Sequence, residues 1–148
     1  MKICFAASSG GHFSQLLQLK PLMDRYDSFI VTEKTEASPA EAAYLLKQVN
    51  RKEWKCIFYL VYNSFLSLRI LIKENPDLII TTGVLSVIPL CLLGKLFRKK
   101  ILYIESFAKV HTPTLTGKFL YPFADYFFVQ WESMKECYPN AIYKGGLY

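Results

Sequence analysis

Runs of consecutive apolar residues alternate along the chain with segments whose apolar residues recur every three or four positions. The first pattern predicts buried strands, and the second predicts helices that pack one face on a sheet. The predicted strands are residues 2–7, 28–32, 56–61, 78–82, 99–105, 125–130 and 142–143. The predicted helices are residues 12–26, 39–46, 63–73, 85–97, 115–121 and 132–138. Apolar strands separated by helices indicate an α/β fold, with a parallel sheet covered by helices on both faces.

Length and composition indicate a single domain over residues 1–148. A chain of this length buries about 70% of its unfolded surface, and an apolar share of 52% excludes a disordered linker. Too few residues precede Ser8 for a signal peptide, and the longest apolar run, 84–93, is too short to span a membrane, so no spanning segment is expected. The four cysteines are scattered, which predicts reduced thiols in a cytoplasmic protein and no metal site.

The segment Ser8-Ser9-Gly10-Gly11-His12 follows the first predicted strand, at the sheet edge where α/β proteins bind ligands. Glycines allow close backbone approach, and the following helix start offers free N–H groups to an anion. Ser9, Gly10 and Gly11 are therefore predicted to hold a phosphate or diphosphate. His12 is a candidate phosphate donor or base. The structural alternative is a tight turn with a capping histidine, since the segment is neither G-x-G-x-x-G nor a Walker loop.

Other strand ends supply further candidates. Glu105 ends a buried strand and is a candidate base or ligand for a sugar hydroxyl; alternatively, it accepts hydrogen bonds from neighbouring backbone amides. The remaining acceptor-binding candidates are Thr82, Gly83, Ser106, Thr114 and Thr116. The last two lie in a hydroxyl-rich loop, 112–118, for which ordinary turn chemistry is the alternative explanation.

The charge balance indicates an anionic partner. Eighteen Lys and Arg against twelve Asp and Glu give a formal net charge of +6. Leucines that end in a basic cluster are typical of a surface that docks on an anionic membrane. The residues predicted to contact the membrane are Leu85, Leu92, Lys95, Arg98, Lys99 and Lys100. A solvated basic face is the alternative, and nucleic-acid binding is not expected because no nucleic-acid module is recognisable.

Ordered motifs across essentially the whole chain resemble a known family. The motifs are Ser8-Ser9-Gly10-Gly11-His12-Phe13-x-Gln15-Leu16, Pro76-Asp77-Leu78-Ile79-Ile80-Thr81-Thr82-Gly83, Tyr103-Ile104-Glu105-Ser106, Leu115-Thr116-Gly117-Lys118, Ala124-Asp125, Val129-Gln130-Trp131 and Tyr138-Pro139-x-Ala141. The family is that of polysaccharide-biosynthesis proteins, which includes the membrane-recruiting subunit of the dolichol-linked chitobiose synthase. Its bacterial members serve capsule and exopolysaccharide assembly.

The resemblance implies a Rossmann-like domain equivalent to the N-terminal, acceptor-binding half of a two-domain (GT-B) glycosyltransferase. The half that binds the UDP-sugar donor would be a separate polypeptide, so this chain alone is expected to be inactive and to need no cofactor of its own. The glycine-rich loop would hold a polyprenyl-diphosphate-linked sugar. His12 or Glu105 would assist the acceptor hydroxyl, with Glu105 preferred as base and His12 as diphosphate donor.

Eukaryotic members of that family carry an N-terminal membrane helix that has no counterpart before Ser8. Peripheral attachment to the cytoplasmic face of the cell membrane is therefore expected. Two other functions stay open: a self-contained nucleotide-dependent enzyme on a flavodoxin-like domain, and a pure membrane adaptor. The missing nucleotide fingerprint counts against the first, and substitution of His12 and Glu105 distinguishes the second, because an adaptor tolerates both changes.

Overall fold

The computed structural model describes residues 1–36 and 38–148, which form seven strands and five α-helices. The strands are β1 Lys2–Ala7, β2 Asp27–Glu33, β3 Tyr44–Leu46, β4 Leu78–Gly83, β5 Lys100–Ile104, β6 Tyr126–Val129 and β7 Ile142–Tyr143. The helices are α1 Gly11–Leu17, α2 Lys20–Arg25, α3 Cys56–Glu74, α4 Ile88–Leu96 and α5 Leu115–Leu120. Two short 3-10 helices, Leu85–Val87 and Glu132–Glu136, lie before α4 and β7. The four cysteines are free thiols, as predicted.

The strands form one sheet in the order β3-β2-β1-β4-β5-β6-β7, and every neighbouring pair is parallel. Helices α1 and α2 pack on one face, and α3, α4 and α5 pack on the other. The predicted α/β class, with a parallel sheet and helices on both faces, is confirmed. The coverage is uneven, because on the face of α1 and α2 the side chains of Leu102 in β5 and Phe128 in β6 are only partly buried.

Two predicted helices differ in the structure. Residues 39–46, predicted as a helix, instead end in β3, which pairs with β2. Leu46 is fully buried in the core and the Tyr44 ring packs edge-on against Phe29, so sheet packing outweighs local helix propensity. The predicted helix 12–26 is divided into α1 and α2 because Pro21, near the start of α2, has no N–H for a continuous helix.

The third helix was predicted as a strand over residues 56–61 followed by a helix over residues 63–73. It is instead one continuous helix of 19 residues, because short apolar runs do not distinguish a strand from a helix. Asn63 lies buried in its middle, where its side-chain amide exchanges two 2.8 Å hydrogen bonds with the backbone of Lys47. The expectation that no segment is long enough to span a membrane is therefore wrong: α3 passes by length and composition.

Candidate functional site

The glycine loop (residues 8–11) connects β1 to α1 at the carboxyl edge of the sheet. Gly10 has a φ of 84°, a conformation that favours glycine, and both Gly10 and Gly11 are exposed with open space around them. No side chain among the described residues caps α1, and the first-turn amides of a helix lack intrahelical partners. The loop therefore presents backbone N–H donors toward solvent, where an anion can bind them.

His12 lies in the first turn of α1 beside these amides. Its Nδ1 atom is buried and has no hydrogen-bond partner within the described part of the chain. Its backbone carbonyl accepts a 3.0 Å hydrogen bond from Thr82 Oγ1, which fixes this turn to the end of β4. Burial lowers the pKa of His12, although the Thr82 backbone and the charge of Glu105 act in the opposite direction. A neutral imidazole with an unpaired nitrogen is suited to accept a proton.

Glu105 lies at the same edge but is fully buried on the other side of the sheet. Its Oε1 accepts from the Ser106 N–H and the Thr114 hydroxyl, both at 2.9 Å. Its Oε2 accepts from the Tyr138 hydroxyl at 2.7 Å and the Thr114 N–H at 3.2 Å. Gly117 packs so tightly here that a Cβ would overlap the carboxylate. These contacts occupy the acceptor positions of both oxygens.

The preferred assignment of Glu105 as base is therefore corrected toward the structural alternative, a carboxylate that accepts from nearby amides and hydroxyls. Side chains alternate between faces along a strand, so Glu105 points with Tyr103 toward α5. The glycine loop and His12 lie on the α1 side. Burial and the hydrogen bond to Glu105 raise the pKa of Tyr138 far above its ordinary range, so this hydroxyl stays a donor.

The remaining acceptor-binding candidates divide into two groups. Ser9 is half-buried within the glycine loop and keeps its predicted place near the anion. The others are buried or already hydrogen-bonded. The Thr82 hydroxyl donates to the His12 carbonyl, the Ser106 N–H donates to the Glu105 carboxylate, and Thr114 caps α5. Gly83 and Thr116 are buried. Direct contact of these five residues with the acceptor stays a prediction, and the hydrogen bonds of Thr82, Ser106 and Thr114 give these three a structural role in addition.

Two buried amide side chains behind the glycine loop were not singled out from the sequence. Gln130 follows β6, and its Nε2 donates to the Glu105 carbonyl at 2.9 Å and to Gln15 Oε1 at 3.2 Å. Gln15 lies on α1, one turn after His12. Both glutamines are in the quoted motifs, but they are 115 positions apart, so no local pattern predicts their contact.

Among the residues predicted to contact the membrane, the basic ones lie between the end of α4 and the start of β5, at the opposite, amino edge of the sheet, whereas Leu85 follows the carboxyl end of β4. Lys95 and Lys100 form ion pairs with Asp125 at 2.9 and 3.2 Å. Burial opposes ionisation of Asp125, but the bonds from Lys95, the Ile101 N–H and Lys100 outweigh it and lower the pKa of Asp125 to about 2. Leu85 and Leu92 are half-buried, and the apolar side of α4 packs on the sheet and on α3. Leu92 packs partly against the core, and the contact of Leu85 and Leu92 with a membrane stays a prediction.

An extended apolar surface is exposed instead on α3 and the residues just before it. Its members, here called the α3 face, are Trp54, Ile57, Phe58, Val61, Tyr62, Phe65 and Ile72, each more than half exposed. Exposed basic residues flank it: Arg51, Lys52, Lys55, Arg69 and Lys73. Helix α3 leads from the carboxyl end of β3 to the start of β4, so its N-terminal half lies at the same sheet edge as the glycine loop.

The structural role of Glu105 gives a testable expectation. Gln at this position keeps the shape but turns an NH2 group toward hydroxyl and amide donors, which lose their acceptor. Glu105→Gln is therefore expected to destabilise the fold by about 2 kcal/mol, or about 4–8 °C in Tm. The measurement is thermal unfolding followed by circular dichroism. Activity per folded molecule, assayed with the donor-binding partner proposed below, is expected to remain within a few-fold of wild type.

Glu136→Gln is the matched control, because Glu136 is exposed in the last 3-10 helix and the same chemical change there removes no buried acceptor. Its unfolding temperature is expected to equal that of wild type. A Glu105→Gln variant with unchanged stability and a loss of turnover of about 10²-fold or more would return Glu105 to the role of base.

Comparison with known proteins places the whole chain in one group. The family model described as "Oligosaccharide biosynthesis protein Alg14 like" matches residues 32–147. The mouse UDP-N-acetylglucosamine transferase subunit ALG14 is 29% identical over 98% of this chain and 82% of its own length. The Schizosaccharomyces pombe subunit of the same name is 31% identical, over 93% of this chain and 79% of its own length.

Solved structures agree on the fold. MurG of Acinetobacter baumannii superposes with a TM-score of 0.74 and 16% sequence identity, over 90% of this chain and 43% of MurG. A UDP-N-acetylglucosamine 2-epimerase superposes with a TM-score of 0.75 and 10% identity, over 96% of this chain and 46% of the epimerase. This chain therefore spans less than half of each of these proteins. The expected Rossmann-like half of a GT-B arrangement is confirmed as the fold.

Proposed function

Because the chain belongs to the Alg14-like family of oligosaccharide-biosynthesis proteins, we propose that it is the acceptor-binding subunit of a two-chain, UDP-sugar-dependent glycosyltransferase. Its acceptor is a polyprenyl-diphosphate-linked sugar used in capsular or exopolysaccharide assembly. The observation that carries the proposal is the open glycine loop, whose uncapped amides lie beside a histidine that burial keeps neutral.

The glycine loop binds the acceptor diphosphate. The amides at the start of α1 donate to its oxygens, and the partial positive charge of a helix N-terminus favours the anion. Gly10 and Gly11 carry no Cβ, so the phosphates approach the backbone directly. This mode of binding requires no charged side chain and holds the diphosphate still while the sugar it carries reacts.

His12 takes the proton of the reacting hydroxyl. The hydroxyl oxygen forms a bond to the anomeric carbon of the donor sugar while the bond from that carbon to UDP breaks, and the hydroxyl proton passes to the imidazole. Its lowered pKa keeps His12 in the proton-accepting form at neutral pH. This assignment revises the preference for Glu105, whose oxygens are already occupied by four donors.

The partner binds the UDP-sugar and packs on the face of α1 and α2, where β5 and β6 are only partly covered. An apolar pocket of about 280 Å³ lies there between Leu22 of α2, the exposed side of β5 and β6, and the last residues of the chain. Contiguous apolar surface left uncovered on a sheet is typical of an interaction site. The relatives are named transferase subunits, which supports a second polypeptide as the occupant.

The proposal predicts that the purified chain transfers no sugar without its partner. The measurement is transfer from a radiolabelled UDP-sugar to a synthetic polyprenyl-diphosphate-linked sugar, with the chain alone and with a co-expressed nucleotide-sugar-binding chain from the same organism. Activity is expected only in the pair, because this chain supplies the acceptor loop but no donor site. Robust turnover by the isolated chain would contradict the proposal.

A substitution in the apolar pocket tests whether the partner binds there. Leu22→Lys places a charge in the apolar pocket at a position that is 36% exposed, so the fold tolerates it. It is expected to weaken partner binding by at least tenfold, since burying an unpaired charge is costly. Leu45→Lys changes a leucine of similar exposure, 41%, that does not line the pocket; it is the control and is expected to bind normally.

Attachment to the membrane is peripheral and uses the α3 face. Apolar side chains beside basic ones are what an interfacial helix presents to an anionic bilayer. The paired bonds between Asn63 and the Lys47 backbone hold α3 along the domain, which supports docking on the bilayer rather than crossing it. The glycine loop then lies at the membrane-facing edge, within reach of a lipid-linked diphosphate.

A further inference from the structure

The C-terminal segment (residues 144–148) is joined to helix α1 by the two buried glutamines. The Leu147 N–H donates to Gln130 Oε1 at 2.9 Å, and Gln130 Nε2 donates to Gln15 Oε1 at 3.2 Å. Gln15 Oε1 also accepts from the Phe107 N–H at 3.4 Å. Both glutamine side chains are nearly inaccessible to solvent. An uninterrupted set of hydrogen bonds therefore connects the end of the chain to the helix that carries His12.

The same segment forms one wall of the apolar pocket on the face of α1 and α2. Residues Lys144, Gly145, Gly146 and Leu147 line it opposite Leu19 and Leu22. The segment is mostly exposed, and besides the bond to Gln130 it is held by the Leu147 side chain, which packs on the core beside α1, and by the Tyr148 ring edge-on against Phe107. An occupant of the pocket thus contacts the segment directly.

We propose that Gln130 and Gln15 are positioning residues that couple the seating of the C-terminal segment to the orientation of α1. A partner bound in the pocket fixes the segment, the segment fixes Gln130, and Gln130 fixes the helix that carries the glycine loop and His12. Acceptor binding therefore tightens when the partner is in place. This inference rests on the proposed function for the identity of the occupant.

The geometry of the two amides makes the connection specific. Gln130 uses its oxygen toward the C-terminal segment and its NH2 group toward Gln15 and the Glu105 carbonyl. A buried amide that loses one of these partners turns to recover it, because an unsatisfied buried polar group is costly. Release of the Leu147 N–H therefore disturbs the bond to Gln15, even though 132 positions separate Gln15 from Leu147 along the chain.

The first test removes one donor from the full-length chain. Leu147→Pro deletes the N–H that Gln130 accepts, whereas Leu147→Ala keeps it and removes only the side chain. Amide hydrogen exchange is measured in both variants without the partner. Leu147→Pro is expected to increase exchange about tenfold in α1, with β2 unchanged as internal reference, and Leu147→Ala is expected to match wild type. Uniform acceleration across the chain, or none in α1, would overturn the proposal.

The second test uses the reconstituted pair. Gln130→Leu is expected to raise the KM for a polyprenyl-diphosphate-linked sugar about tenfold while kcat and partner affinity stay within twofold. Gln18→Leu makes the same change at an exposed position of α1's C-terminal end and is expected to be neutral. An unchanged KM for Gln130→Leu would overturn the coupling. A wild-type pair that transfers nothing would instead refute the proposed function, and the exchange experiment would still decide the coupling.

Discussion

Replacement of His12 by alanine is expected to lower turnover of the two-chain enzyme by about 10²- to 10⁴-fold, the usual contribution of a general base. Burial lowers the pKa of the imidazole, so the ring is present in its proton-accepting form, and alanine removes it. The assay is sugar transfer to a polyprenyl-diphosphate-linked acceptor at saturating partner. Partner affinity is expected to be unchanged, because His12 lies on α1 away from the pocket lining.

His111→Ala is the matched control, since the chain has two histidines and this one is exposed in the loop after β5. Its turnover is expected to equal that of wild type. Near wild-type turnover in His12→Ala would remove this chain from the chemistry and leave it a membrane adaptor. A loss confined to KM would indicate that His12 binds the diphosphate and does not accept the proton.

The pH profile provides an independent check on His12. Burial lowers the pKa of the imidazole, so the proton-accepting form predominates at neutral pH. Turnover is therefore expected to hold as the pH drops to about 6.5, the ordinary histidine value, and to fall only below it. Because the pKa of His12 is lower in the folded than in the unfolded state, the unfolded state binds a proton more readily. The free energy of unfolding therefore declines as the pH drops below about 6.5. A loss of turnover that already begins well above pH 7 as the pH is lowered would contradict the assignment of His12 as base.

Substitution of Phe58, Val61 and Phe65 by glutamate is expected to abolish binding to anionic vesicles, with a loss of at least about 100-fold. Each side chain is more than half exposed in the free protein, and removal of apolar burial costs about 1.5–3 kcal/mol per residue. Co-sedimentation with phosphatidylglycerol vesicles measures the loss. Because the three positions are exposed, thermal unfolding is expected to be unchanged.

The basic residues before β5 are compared with the α3 face in the same vesicle-binding assay. The triple change of Arg98, Lys99 and Lys100 to glutamate is expected to have a smaller effect, because these residues lie at the sheet edge farthest from the glycine loop. Tyr126→Glu, at an exposed aromatic position outside α3, is the matched control and is expected to bind vesicles normally. Binding lost in the basic triple but kept in the α3 triple would restore the originally predicted membrane face.

The sequence by itself determined the class of fold and the position of the glycine loop. Buried parallel strands are apolar throughout, so residues such as 2–7 and 78–82 are recognisable without any knowledge of their neighbours. Glycines between a strand and a helix allow a positive φ and a close approach to the backbone. In the structure Gly10 has a positive φ and Gly11 begins α1 directly after this turn. The ordered motifs carried the family assignment, which the matching family model confirms.

Only the tertiary structure decided which side chains face a ligand. A carboxylate at a strand end has the same sequence signature whether it is a base or a buried acceptor, and Tyr138, which lies 33 positions beyond Glu105, makes the difference. The contact between Gln15 and Gln130 joins strands and helices that no local pattern relates. Long-range contacts of this kind depend on the strand order, which the hydrophobic pattern does not specify.

Helix α3 shows both what the sequence determined and what the tertiary structure decided. Residues 56–61 are apolar in the sequence and were predicted to be buried, but Ile57, Phe58 and Val61 are exposed. A hydrophobic pattern shows that side chains are apolar and does not show whether another element covers them. The side toward the domain carries Asn63 and Ser67, and Asn63 is accommodated there by its bonds to the Lys47 backbone. The orientation of α3 is therefore set by Asn63 together with the buried Ile70 and Leu71, and these contacts form only once the chain has folded.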